Sequence, residues 1–272
     1  MFPMARPFGL KEALRMPLTF PSHAAAVIPL QRWVPPLDAT ALVLGSMAPD
    51  ASYLVEIFPV SAHSLRGLFL FCLPAAGVLY FAYQLWFVGP LRRSAPNVRH
   101  VQLSQWVGQQ GLPRTARAWG WVCLSLFLGT LTHLLWDGLT HTQQWPANVL
   151  YANIKVALGS RRVWSLPHLL QHLSTVLGTV FVVGWMWHRS RRMPRAQTVP
   201  SGDFWRLVTP TLLLVAVGVF WNVHRGPPFE RTGEAVWRLV WSAIRYGLCG
   251  VALGCGWERW TRVRRASPPP LP

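Results

Sequence analysis

The stretch Gly129–His141, GTLTHLLWDGLTH, sets His133, Asp137 and His141 at successive four-residue steps. On an α-helix, positions four apart share a face, so the His133 imidazole and the Asp137 carboxylate project together. A nitrogen and an oxygen donor one turn apart make half of a site for a divalent metal. The text around them is strongly apolar, and ionisable groups inside a membrane segment are functional candidates by default. Further along, SLPHLLQHLS puts His168 and His172 one turn apart at the start of another apolar run. Upstream stand His23, Asp50 after a proline break, and His63. Three or more histidines with one or two aspartates suit Zn²⁺ or another divalent first-row metal, which would activate water for hydrolysis. No GxSxG, Walker loop or CxxC pair occurs, so nucleophilic serine chemistry has no visible anchor. Cys72, Cys123, Cys249 and Cys255 lie in apolar stretches and read as small buried residues.

The elements that must carry these residues are membrane helices. Of 272 residues, 51% are hydrophobic and 16 are tryptophan, with a positive mean hydropathy of +0.26. That is too apolar for an ordinary soluble domain. The net charge of +17, from 26 basic against nine acidic residues, raises nucleic-acid binding as a class. The basic residues, however, sit in short clusters between apolar runs, as membrane topology requires, so a nucleic-acid partner is disfavoured.

Five runs are long enough to span a bilayer: Gly67–Val88, Trp119–Leu139, Trp164–Trp187, Leu207–Val223 and Val236–Trp257. Before them, Asp38 is placed to cap a helix over Ala39–Met47, which Pro49 breaks ahead of Asp50. That piece is too short to span and reads as re-entrant or interfacial. Between the second and third spans, His141–Val163 reads as a partly helical loop. The domain expectation is a basic leader at 1–15, one membrane-embedded helical domain at 16–257 and a disordered basic, proline-rich tail at 258–272. Gly250-x-x-x-Gly254 is a helix-packing pattern.

Thirteen arginines fall within Arg92–Arg117, Arg189–Arg195 and Arg259–Arg265, against five basic residues in the loops after the second and fourth spans. The positive-inside rule makes the first group cytoplasmic, with the C-terminus. It also brings His63, His133, Asp137, His141, His168 and His172 near the opposite, non-cytoplasmic face. Asp50 joins them if its short helix points the same way.

Four segments, MPLTFPSHAAAVIPL, LVLGSMAPDASYL, AHSLRGLFLF and THLLWDGLTH, together resemble a bacterial membrane family, domain of unknown function 4184 (DUF4184). That family is similar to inner-membrane proteins described as metal-dependent hydrolases. Their pattern is an N-terminal His, a PD pair, an HS segment and a later H-x-x-x-D. The resemblance covers roughly Met16–His172 and leaves the last two spans unsupported. It implies a location in the bacterial inner membrane and a natural start at Met16. A more distant similarity is to zinc-dependent phospholipases C, which use H-x-x-x-D and H-x-x-x-E pairs around a zinc cluster. His133 and Asp137 match the first pair, whereas His172 stands where the second would have Glu.

The expectation is therefore an all-α polytopic membrane bundle of about five spans, acting as a metal-dependent hydrolase on a phosphoester or other lipid-linked substrate. His63, His133, Asp137, His168 and His172 would hold a divalent metal, zinc first, with membrane lipid as the partner. Asp50 would be a further ligand or the base for the metal's water, and His23 and His141 weaker ligands. The rival class is a non-enzymatic structural or transport-related membrane protein whose polar cluster binds an ion.

Overall fold

The computed structural model describes residues 22–55, 62–94, 97–98, 101–108, 111–158, 162–192, 201–225 and 232–266. The expected leader at 1–15 and residues 267–272 of the tail lie outside them. The described residues are all-α apart from two small hairpins. Among the described residues, five helices are long and apolar enough to cross a membrane. The expected spans fall within them, except that the third begins two residues early, Trp164 and Ser165 belonging to a strand ahead of the helix that starts at Leu166.

The N-terminal region forms α1 (Ala24–Trp33), α2 (Ala39–Met47) and α3 (Ala51–Val55). Asp38 caps α2 by accepting from the Ala41 N–H at 2.7 Å, a contact worth about 1 kcal/mol. The first span is one helix, α4 (Leu65–Ser94), containing two π-helical turns at Leu68–Cys72 and Tyr83–Phe87. A short hairpin, β1 (Asn97–Val98) with β2 (Val101–Gln102), and α5 (Leu103–Trp106) follow. The second span is α6 (Ala116–Thr140), capped by the Thr115 hydroxyl.

The connection after α6 is partly helical, as α7 (Ala147–Leu150), and also holds a β-hairpin that the polar text did not announce. Its strands are β3 (Lys155–Leu158) and β4 (Arg162–Ser165), paired antiparallel with Val156 opposite Trp164. The last three spans are α8 (Leu166–Arg192), α9 (Ser201–Arg225) and α10 (Thr232–Ala266).

Two compact units divide the chain. One comprises Met1–Tyr80 with Pro113–Met186, the other Phe81–Leu112 with Trp187–Pro272. In the first, α2 lies against α6 at van der Waals contact of their backbones. Gly129 makes this possible: a Cβ there would overlap the Leu42 carbonyl oxygen and stand 2.9 Å from the Ser46 nitrogen. Gly45 plays the reciprocal part against the Leu126 carbonyl. Two long-range polar contacts fix the register: the Thr130 hydroxyl donates to the Gly45 carbonyl at 3.1 Å, and the Asp38 N–H donates to the Ser125 hydroxyl at 2.9 Å. Val27, Leu37 and Leu42 form the core beneath.

In the second unit, α9 and α10 pack closely. Gly250 sits on the Thr211 backbone and Gly254 on the Leu207 backbone, the packing that the four-residue glycine spacing predicts. The segment from Glu258 to Ala266, expected to be disordered, is helical. The reason is a buried Glu258 carboxylate that receives both Nε and Nη2 of Arg93, at 2.7 and 2.8 Å, while Arg264 lies 3.9 Å over the Trp260 ring. A fork-to-fork ion pair of this kind ties the end of α10 down.

Candidate metal centre

Four pieces of the first unit converge on one buried spot. His23 is the residue just before α1, Asp50 lies in the turn between α2 and α3, and His63 precedes α4. His133 and Asp137 come from the last turns of α6, and His141 is its C-cap. His133 is 1% exposed and Asp137 3%, so their polar atoms must be satisfied by one another or by something bound.

Asp137 stands at the middle. Its Oδ2 lies 3.2 Å from Nε2 of both His63 and His133, and those two nitrogens are 3.3 Å apart. The Asp50 Oδ1 is 3.6 Å from His63 Nε2 and 3.7 Å from His133 Nε2. Its other oxygen, Oδ1 of Asp137, faces His23 Nε2 at 3.5 Å and His141 Nδ1 at 3.4 Å. The His23 and His133 rings are stacked with centroids 3.8 Å apart.

The tautomer of His133 follows from its other nitrogen. Nδ1 lies 2.6 Å from the Ser46 carbonyl oxygen; that oxygen can only accept, so the proton is on Nδ1 and the Nε2 lone pair faces the cluster. This is how metal-binding histidines are oriented by the backbone around them.

Outside the spanning helices, the charges sort by neighbour. Burial disfavours a charged His63, but hydrogen bonds to Asp137 and Asp50 outweigh it and push its pKa up to about 10. Burial, with His133 alongside, brings His23 down to about 4. Burial also works against the Asp50 carboxylate, yet His133 and His63 hold it below the usual carboxylate range. Burial lowers His141.

Two overlapping groups have ligand atoms all within 4.8 Å of one another: His63, His133 and Asp137, and His23, Asp50 and His133. A metal fits the first. With Zn–N and Zn–O bonds of about 2.0–2.1 Å, the edge of a tetrahedron is about 3.3 Å, and the three contacts among His63, His133 and Asp137 Oδ2 are 3.2, 3.2 and 3.3 Å. A second observation agrees. Both ring nitrogens of His23 and the Asp137 Oδ1 are buried and make no hydrogen bond among the described residues. Orphaned buried polar atoms cost about 1–3 kcal/mol each, and three at one spot indicate a bound ion or water.

The structure thus brings together His23, Asp50, His63, His133, Asp137 and His141. His168 and His172 enter neither group. Their Nε2 atoms lie 3.1 Å apart, and both rings pack on Trp164 at 5.0 and 4.9 Å. The residue of α8 that reaches the cluster is Gln171, whose Nε2 is 2.7 Å from His141 Nε2. Consecutive helical residues are turned about 100° apart, so Gln171 and His172 look different ways. The paired histidines stand out in the sequence and the glutamine between them does not; Ser46, which acts through its backbone, carries no signal at all.

The family model described as a domain of unknown function, DUF4184, matches residues 16–255. The chain belongs to that family. The match extends over the last two spans, beyond the region where the sequence segments carried the resemblance. Among curated proteins and among solved structures, none matches this chain.

Proposed function

We propose that this member of the DUF4184 family is a membrane-embedded, metal-dependent hydrolase acting on a phosphoester or other lipid-linked substrate. His63, His133 and Asp137 would hold one divalent ion, zinc by the donor set, with Asp50 beside it. The observation that carries the reading is the near-equilateral triangle of two Nε2 atoms and one carboxylate oxygen at 3.2–3.3 Å. It is supported by the orphaned atoms of His23 and Asp137 next to it. We place this centre at the non-cytoplasmic face of the bacterial inner membrane, with the C-terminus cytoplasmic, on the arginine distribution between the loops.

When bound, a divalent ion at this position supplies an acidified water and a positive charge against the charge developing on a phosphoryl oxygen. The chain supplies the rest. The Ser46 carbonyl fixes the His133 tautomer. Gln171 orients His141 from its Nε2 side, so that its Nδ1 faces Asp137. Hydrolysis places the water's hydroxyl on phosphorus and returns a proton to the leaving alcohol. Asp50, 8% exposed and adjacent to both ligand histidines, is positioned to accept the attacking water's proton.

A second reading, a structural ion-pair cluster without catalysis, draws on the charges themselves: an imidazolium at His63 between Asp50 and Asp137 balances part of the buried charge unaided. The two part on activity. Purified protein loaded with zinc is assayed on p-nitrophenyl phosphate and on bis-p-nitrophenyl phosphate, beside Asp50→Asn. Turnover that falls about 10²–10⁴-fold in Asp50→Asn, as removal of a general base does, supports the hydrolase. Zinc-loaded protein inactive on both and on lipid phosphoesters supports the structural cluster.

A further inference from the structure

An apolar cavity of about 650 Å³ opens beside the metal centre, entirely within the first unit. Its volume falls in the range of small-molecule sites, about 300–1,000 Å³. Along α8 it is lined by Leu170, Leu173, Leu177 and Phe181, at three- and four-residue steps that make one helical stripe. At 1.5 Å per residue, this stripe runs about 16 Å, close to half of a hydrocarbon core of about 30 Å. Leu139 at the end of α6 and the small residues Ala25 and Ala26 of α1 line it as well. Gly178 lets α8 approach the residue before His23: a Cβ there would stand 2.8 Å from the Ser22 Cβ.

A groove along a lipid-facing helix can be filled by any lipid of the surrounding bilayer. This one has a buried polar residue in its lining that sets it apart. His23 lines it, is 3% exposed, and has no hydrogen bond on either ring nitrogen among the described residues. The same imidazole stacks on His133 and stands 3.5 Å from Asp137. A lipid whose chain lies along the α8 stripe would therefore bring its headgroup within reach of His23 and the metal centre beside it.

We propose that this groove binds one aliphatic chain of a lipid phosphoester, the class of substrate presented to the centre. The proposal rests on the hydrolase reading only for the fate of the headgroup. Its occupant is one chain because the lining is a single stripe one leaflet deep.

The test uses the full-length protein in phosphatidylethanolamine/phosphatidylglycerol nanodiscs and n-hexadecyl phosphate carrying a diazirine at its far end. After irradiation, labelled residues are mapped by mass spectrometry, and zinc is measured on the same preparation. We expect labelling concentrated on the α8 stripe from Leu170 to Phe181, competed by excess unlabelled hexadecyl phosphate and not by methyl phosphate. Ala26→Phe and Ser174→Phe, which fill the groove from different helices, should each reduce it about tenfold. Labelling of wild-type protein that excess hexadecyl phosphate does not compete, or that is equally strong on exposed apolar residues of α9 such as Leu213, would overturn the proposal. Zinc bound without competed labelling removes the groove and leaves the hydrolase reading; competed labelling without zinc does the reverse.

Discussion

The Nδ1 of His133 lies 2.6 Å from the carbonyl oxygen of Ser46, a residue 87 positions earlier in the chain. This contact joins the fold to the chemistry, because it leaves the Nε2 lone pair to face His63 and Asp137. It exists only because α2 and α6 touch at Gly45 and Gly129. Two glycines therefore set the tautomer of His133.

Gly129→Val drives two methyl groups into the Leu42 and Ser46 backbone. Overpacking of this kind costs about 1–3 kcal/mol or more, and relief requires α2 to move away from α6. We expect a lowered thermal midpoint and loss of bound zinc, read by fluorescence-detected unfolding and by metal analysis. Thr132→Val on the same helix, whose hydroxyl donates only to the Gly129 carbonyl within that helix, should keep the zinc.

Gln171→Leu removes the amide that meets His141 Nε2 at 2.7 Å. His141 would then be less firmly oriented beside Asp137, and loss of such an outer partner costs about 10–100-fold in metal affinity. Competition against a chromogenic zinc chelator should show that weakening with unchanged stoichiometry.

His168→Ala with His172→Ala tests the two histidines that flank Gln171 on the same helix. Their Nε2 atoms meet each other and their rings lie on Trp164, and neither belongs to the groups around Asp137. The double variant should bind as much zinc as wild type in the same metal analysis.

The spans and the His133–Asp137 pair were legible in the sequence because both rest on local rules: apolar length, and a four-residue step on one helix face. The Asp38 cap was legible for the same reason. The contact of Ser46 with His133 was not, since it depends on two glycines, distant in sequence, letting backbones meet. His168 and His172 have the spacing of ligands but sit where α8 turns them toward Trp164. The helical stretch from Glu258 reads as a loose basic tail until Arg93, far upstream, is seen to pair with its one buried acid.

The acid–base behaviour of chelator-treated protein follows from His63 and His23. His63 is raised to about 10 from an unfolded value near 6.5. Its stabilisation is thus complete below about pH 6.5 and lost as pH rises through 10. His23 is lowered to about 4, so between about 6.5 and 4 the unfolded chain binds the extra proton and stability falls as pH falls. The metal-free thermal midpoint should peak near neutrality. A metal must displace the His63 proton, so the rise in midpoint on adding zinc should be larger at pH 8.5 than at pH 6.5.

The polar atoms of His63, His133 and Asp137 meet at 3.2–3.3 Å, and the proposed function requires that they hold a metal ion there. Plasma mass spectrometry on detergent-purified protein, prepared without chelator and offered zinc, measures this directly. His133→Ala/Asp137→Ala is run beside it under the same conditions. We predict a stoichiometric divalent metal in wild type, retained through gel filtration and lost in the double variant. Well-folded wild-type protein that retains no metal would contradict the claim.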